Sequence, residues 1–163
     1  MGGSLVSRFF ISDMSIQVGM PSVYSPNWQN SLDMIGHEWT HGVVANSANL
    51  SGSGVSEAYW LNESFADIFG SMVECYAEAL NDTSKTCDDF YIGEDVAPAM
   101  NTIVNRDMCN PESNGGAGTY GGANWSGSPG PDSYPRSGVQ NKWFCLLAKG
   151  GSDTNAHPCS PYI

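Results

Sequence analysis

Two stretches of this chain carry a polar stripe at helical spacing, and a chain that must bury both has few ways to fold. The first is Asp33-Met34-Ile35-Gly36-His37-Glu38-Trp39-Thr40-His41. His37 and His41 are four apart, so on a helix of 3.6 residues per turn both imidazoles leave one face, and Asp33 extends that face by a turn. The second stretch is residues 57–81, where Leu61, Phe65, Ile68, Phe69, Met72, Val73, Tyr76 and Leu80 recur at helical spacing. Glu63, Asp67 and Glu74 share the opposite stripe, because steps of four and eleven residues return to within about 40° of the start. Laid antiparallel, the two stripes pair His37 and His41 with Glu63, His37 with Asp67, and Asp33 with Glu74.

Those pairings carry chemistry. Two neutral imidazoles one turn apart can grip a Zn²⁺ ion, with Glu63 as third ligand and Glu38 placed to act as base on a water at the metal. Asp67, one turn after Glu63, reaches the nitrogen of His37 that faces away from the ion. The H-E-x-x-H pattern alone also fits a helix with two surface histidines that bind nothing; Glu63 on the facing stripe is what argues for the metal. Asp33 and Glu74 meet beyond this site, and no Lys or Arg occurs between residues 9 and 84. Carboxylates packed together without a cation repel and raise each other's pKa. Oxygens from Asp89 and Glu94, in Asp88-Asp89-Phe90-Tyr91-Ile92-Gly93-Glu94-Asp95, would complete the oxygen-only cage that Ca²⁺ prefers. A solvated acidic loop is the alternative.

The chain resembles the thermolysin family of zinc endopeptidases over roughly residues 30–151. The resemblance rests on Asp33 to Val44, Leu61 to Glu74, Ile92-Gly93-Glu94-Asp95, Asn105-Arg106-Asp107-Met108 and Ser137-Gly138-Val139-Gln140-Asn141-Lys142. It implies hydrolysis of internal peptide bonds with Glu38 as base and His37, His41 and Glu63 as zinc ligands. It further implies that Arg106 binds a substrate carbonyl. Tyr91 replaces a carboxylate of two-calcium members, which implies one Ca²⁺ ion rather than two. Tyr134 stands where the family has a histidine that hydrogen-bonds the oxyanion, and the loop at residues 49–56 offers no counterpart to the family's tyrosine donor. Loss of one such donor costs about 10²–10³ in rate, so the chain alone is expected to be weak or inactive. The alternative is a non-catalytic zinc- and calcium-binding domain derived from such an enzyme.

The expected fold is mainly α: an antiparallel pair at residues 31–48 and 57–81, with a helix at 139–149 packed across it. Residues 1–30 read as an irregular N-terminal remnant, 31–151 as the thermolysin-like zinc-binding helical domain, and 152–163 as a loop-like tail. The resemblance implies that most of the family's N-terminal β-rich lobe and its C-terminal helical region are missing, to be supplied, if at all, by another chain. Residues 112–131 hold seven glycines and two prolines and read as irregular, with an ordered cleft loop as the alternative.

Net charge is −11, from 6 Lys and Arg against 17 Asp and Glu, which repels phosphate backbones and anionic membranes. The expected partner is a peptide or protein substrate, with no nucleic acid and no membrane. No apolar run is long enough to span a bilayer, and residues 1–20 lack the pattern of a signal peptide. Acidity without long like-charge runs, together with sequons at Asn49, Asn81 and Asn124, suits an extracellular calcium-binding protein. Asn62 also fits a sequon but stands beside Glu63. Of the five cysteines, Cys145 lies in an apolar helical pattern and reads as a buried thiol. Cys75 and Cys87 can form a local disulfide, although spacing does not determine connectivity.

Overall fold

The computed structural model describes residues 8–10, 12–17, 31–52, 56–84, 90–95, 106–125 and 136–151. Three helices dominate: α1 (Leu32–Ser47), α2 (Glu57–Asn81) and α3 (Gly138–Lys149). The fold is mainly α. Ser31 occupies the N-cap of α1 in extended backbone, and Asp33 puts negative charge in the first turn, where the helix dipole favours it. Ser56 caps α2, its hydroxyl accepting from Tyr59 N at 3.2 Å.

Helices α1 and α2 meet through glycines. A β-carbon on Gly36 would stand 3.0 Å from Gly70 Cα, and one on Gly70 would stand 2.4 Å from the Asp33 carbonyl oxygen. With hydrogen at both positions the backbones approach closely, and short side chains reach across. The result inverts the usual amphipathic arrangement. Glu63, Ser64, Ala66, Asp67, Ile68, Ser71 and Glu74 are buried, while Phe69, Tyr76 and Leu80 are more than half exposed.

The apolar core lies to one side of this pair. Ile68 of α2 and Cys145 of α3 pack with Phe90, Ile92 and Met108, flanked by Met34, Cys109 and Phe144. Ile92 belongs to a small antiparallel ladder, β3 (Tyr91–Ile92) against β4 (Arg106–Asp107), and Phe90 and Met108 flank it, with Met108 N donating to Phe90 O. A disulfide joins Cys109 to Cys145, with their Cα atoms 5.3 Å apart. This corrects the expectation of a free thiol at Cys145. Its burial follows from the apolar pattern, but its partner comes from a segment 36 residues away that only the fold brings near. Cys75 is also disulfide-bonded, and Cys87, its expected partner, lies outside the described residues.

One further expectation changes. The described part of residues 1–30 is not irregular: β1 (Arg8–Phe10) and β2 (Ser15–Gln17) form an antiparallel hairpin in the register Phe9↔Ile16. Its turn is closed by Asp13 Oδ1, which accepts from Ser15 N and Oγ, and Met14 adopts φ +54°. Through Trp125 the glycine-rich segment is irregular, as expected, in turns and bends. It begins with a 3₁₀ turn, Pro111–Asn114. Lys142 Nζ clamps Glu112 at 3.1 Å, Asn124 Nδ2 donates to Gly116 O, and the Arg136 guanidinium stacks over Trp60 and Trp125. The 152–163 tail lies outside the described residues.

Candidate metal centres

Helix α1 carries His37, Glu38 and His41, and α2 carries Glu63 and Asp67. Packing at Gly36 and Gly70 brings His37, His41 and Glu63 together, each offering one ligand atom within 4.8 Å of the others. His37 Nε2 lies 3.1 Å from His41 Nε2, and Glu63 Oε2 lies 3.4 and 3.8 Å from them. Tetrahedral zinc with bonds of about 2.0–2.1 Å sets its ligands about 3.3 Å apart. The three residues therefore fit the ion. Among the described residues, the buried Glu63 Oε2 has no hydrogen-bond partner, which is the condition of an oxygen awaiting a cation.

Both imidazoles are held by their other nitrogen. Asp67 Oδ1 lies 2.8 Å from His37 Nδ1, and a carboxylate can only accept, so Nδ1 carries the hydrogen and Nε2 keeps its lone pair. His41 Nδ1 lies 3.0 Å from Asn62 Oδ1, whose amide orientation is fixed by Nδ2 donating to Leu50 O at 3.2 Å. Asn62 is a residue that the sequence reading missed as an orienting group. The only sequence signal was its place beside Glu63, at the foot of the stripe.

Asp67 is fully buried and receives donors from three elements. Arg106 Nη2 and Nε reach it at 2.7 and 2.9 Å, and Asn141 Nδ2 of α3 at 2.8 Å. Ser64 Oγ in turn donates to Asn141 Oδ1 at 2.6 Å. Burial would raise the Asp67 pKa, but Arg106 and His37 more than reverse this and hold it far below the usual carboxylate range. For His37, burial opposes the charged form, yet the hydrogen bond to Asp67 and the Glu63 carboxylate beside it prevail and carry its pKa up to about 9. Burial likewise pushes Glu63 up, and His37 and His41 bring it below the ordinary value.

The second cluster is Asp33, Glu74 and Glu94, whose oxygens also lie within 4.8 Å of one another. Among the described residues, the buried Glu74 Oε1 has no hydrogen-bond partner. Burial first, then Asp33, Glu94 and Asp95, push the Glu74 pKa up to about 9. Asp33 Oδ2 accepts from Gly93 N, which ties the loop after β3 to α1. Hard oxygen donors with no nitrogen or sulfur among them fit a Ca²⁺ ion. Asp89, expected in this cage, lies outside the described residues, as does Tyr134. Glu38 is 8% exposed, and its Oε2 accepts from Phe9 N at 2.9 Å.

Residues 48–160 match the family model described as thermolysin metallopeptidase, alpha-helical domain. The chain belongs to that family. It is 37% identical to a bacillolysin of Bacillus cereus over 122 residues, covering 74% of the chain and 20% of the relative. It is 35% identical to a transglutaminase-activating metalloprotease of Streptomyces mobaraensis over 120 residues, covering 74% and 15%. It is 32% identical to a thermolysin of Alicyclobacillus acidocaldarius subsp. acidocaldarius over 125 residues, covering 76% and 21%. The chain thus spans a fifth or less of the length of the first two of these relatives and about a fifth of the third. The family model begins after α1, so His37, Glu38 and His41 precede it. Among the described residues no helix is long and apolar enough to cross a membrane.

Proposed function

We propose that this chain is the zinc-binding portion of a metalloendopeptidase that hydrolyses internal bonds of peptide or protein substrates. The observation that carries this reading is the convergence of His37 Nε2, His41 Nε2 and Glu63 Oε2 at tetrahedral spacing, with Glu38 on the helical turn between the histidines. Zn²⁺ held there supplies a Lewis acid for the scissile carbonyl and acidifies a water. Glu38 takes the proton of the attacking water and passes it to the leaving nitrogen. Asp67 and Asn62 keep the two imidazoles in the ligating tautomer. Arg106 keeps 15% of its side chain exposed while gripping Asp67, and we assign to it a substrate carbonyl. Asp33, Glu74 and Glu94 would hold Ca²⁺, with Asp89 as a further ligand. Disulfide-bonded Cys75, Cys109 and Cys145 support an extracellular setting.

A second reading, a zinc- and calcium-binding domain without turnover, is favoured by Tyr134, which stands where the family has its oxyanion-binding histidine. The experiment is the zinc-to-protein ratio of material purified metal-free and then reloaded, followed by casein hydrolysis by wild type and Glu38→Gln. One zinc per chain with hydrolysis lost in Glu38→Gln supports the endopeptidase. One zinc without hydrolysis leaves the binding domain, and no zinc sinks both.

A further inference from the structure

The hairpin β1–β2 makes a specific attachment to α1. In an antiparallel pair, alternate residues turn their N–H and C=O away from the partner strand. Phe9, opposite Ile16, turns its N–H outward onto Glu38 Oε2 at 2.9 Å. What fixes Phe9 there is steric. Its ring lies in a notch over Gly42, where a β-carbon would stand 2.4 Å from Cζ and 2.7 Å from Cε2. The Trp39 ring meets the Phe9 ring edge-on, with centroids 6.4 Å apart at 86°. Farther along α1, Asn46 Nδ2 reaches Met14 Sδ at 3.4 Å and pins the hairpin turn. Glu38, Gly42 and Asn46 recur every four residues, so the hairpin lies along one stripe of α1.

We propose that Phe9 is a positioning residue for Glu38, seated by the notch at Gly42. Its N–H commits one carboxylate oxygen, which restricts rotation of the buried Glu38 carboxylate and presents the other oxygen in one orientation. The proposal rests on the reading of Glu38 as the base. A charge-assisted hydrogen bond of this kind is among the stronger ones in a protein, and correct placement of a base governs turnover more than substrate binding.

The test uses the full chain, zinc-loaded and ¹⁵N-labelled, with hydrogen exchange of the residue 9 amide as the first readout. Wild type should protect that amide. Glu38→Ala removes the acceptor, Gly42→Ala drives a methyl into the ring, and each should speed exchange by about tenfold or more. Phe9→Ala in the Gly42→Ala background removes the clashing ring but keeps the backbone N–H, and should restore protection. In peptide hydrolysis, Gly42→Ala should lower kcat about tenfold with KM and zinc stoichiometry unchanged, and the double variant should recover. Free exchange at residue 9 in the wild type, no response to Gly42→Ala, or a double variant no better than Gly42→Ala would overturn the proposal. The exchange measurement decides the contact whether or not peptides are cleaved; absence of cleavage by the wild type counts against the endopeptidase reading instead.

Discussion

Gly70 Cα faces the carbonyl oxygen of Asp33 so closely that a β-carbon there would lie 2.4 Å from that oxygen. The obstruction is backbone, which cannot rotate aside as a side chain does. Gly70→Ala must therefore push α1 and α2 apart, and both candidate metal clusters straddle that seam. We expect a loss of about 1–3 kcal/mol, the usual cost of overpacking, although alanine has the better helix propensity. Thermal unfolding checks the stability. Zinc titration should show weakened affinity in the same variant.

Asp67→Ala removes the acceptor that orients His37 and leaves Arg106 without its carboxylate. Zinc affinity should fall about 10–100-fold, as for other ligand-orienting carboxylates. Competition with a chromogenic chelator measures it. An unchanged affinity would show that His37 needs no such support.

The metal-free chain should lose stability as pH rises. Glu74 goes from an ordinary value of 4.5 to about 9 on folding, and His37 from 6.5 to about 9. Both groups bind a proton more tightly folded than unfolded. Their contribution is full below 4.5 and 6.5 respectively and is lost as pH rises toward 9. Asp67 and Glu63 are depressed, so they act in the opposite sense and cost stability on acidification. The melting temperature in chelator should therefore peak at weakly acidic pH and decline through the alkaline side. Metals should flatten that decline by replacing the protons.

Calcium should raise the melting temperature, with stability growing as RT ln(1 + [L]/Kd). Unfolding in EGTA against millimolar Ca²⁺ is the comparison. Glu74→Gln removes a buried ionisable carboxyl whose Oε1 has no hydrogen-bond partner among the described residues. It should abolish the calcium response while raising the stability of the calcium-free protein at neutral pH, because the folded state no longer resists ionisation there. A variant that still responds to calcium would place the ion elsewhere.

The helices and the facing of their polar stripes were legible in the sequence, because a period of 3.6 residues converts spacing into direction. His37 and His41 at a step of four, and Glu63, Asp67 and Glu74 at steps of four and eleven, need no tertiary information to share a face. Burial of that polar face, with Phe69, Tyr76 and Leu80 left outside, is a different matter. It depends on how closely two backbones approach, and Gly36 and Gly70 determine that only once they are opposite each other. The same holds for the pairing of Cys109 with Cys145, the grip of Asn141 and Arg106 on Asp67, and the seat of Phe9 over Gly42. Each joins residues far apart along the chain, and periodicity assigns a side chain its direction within one element without saying what waits on the other side.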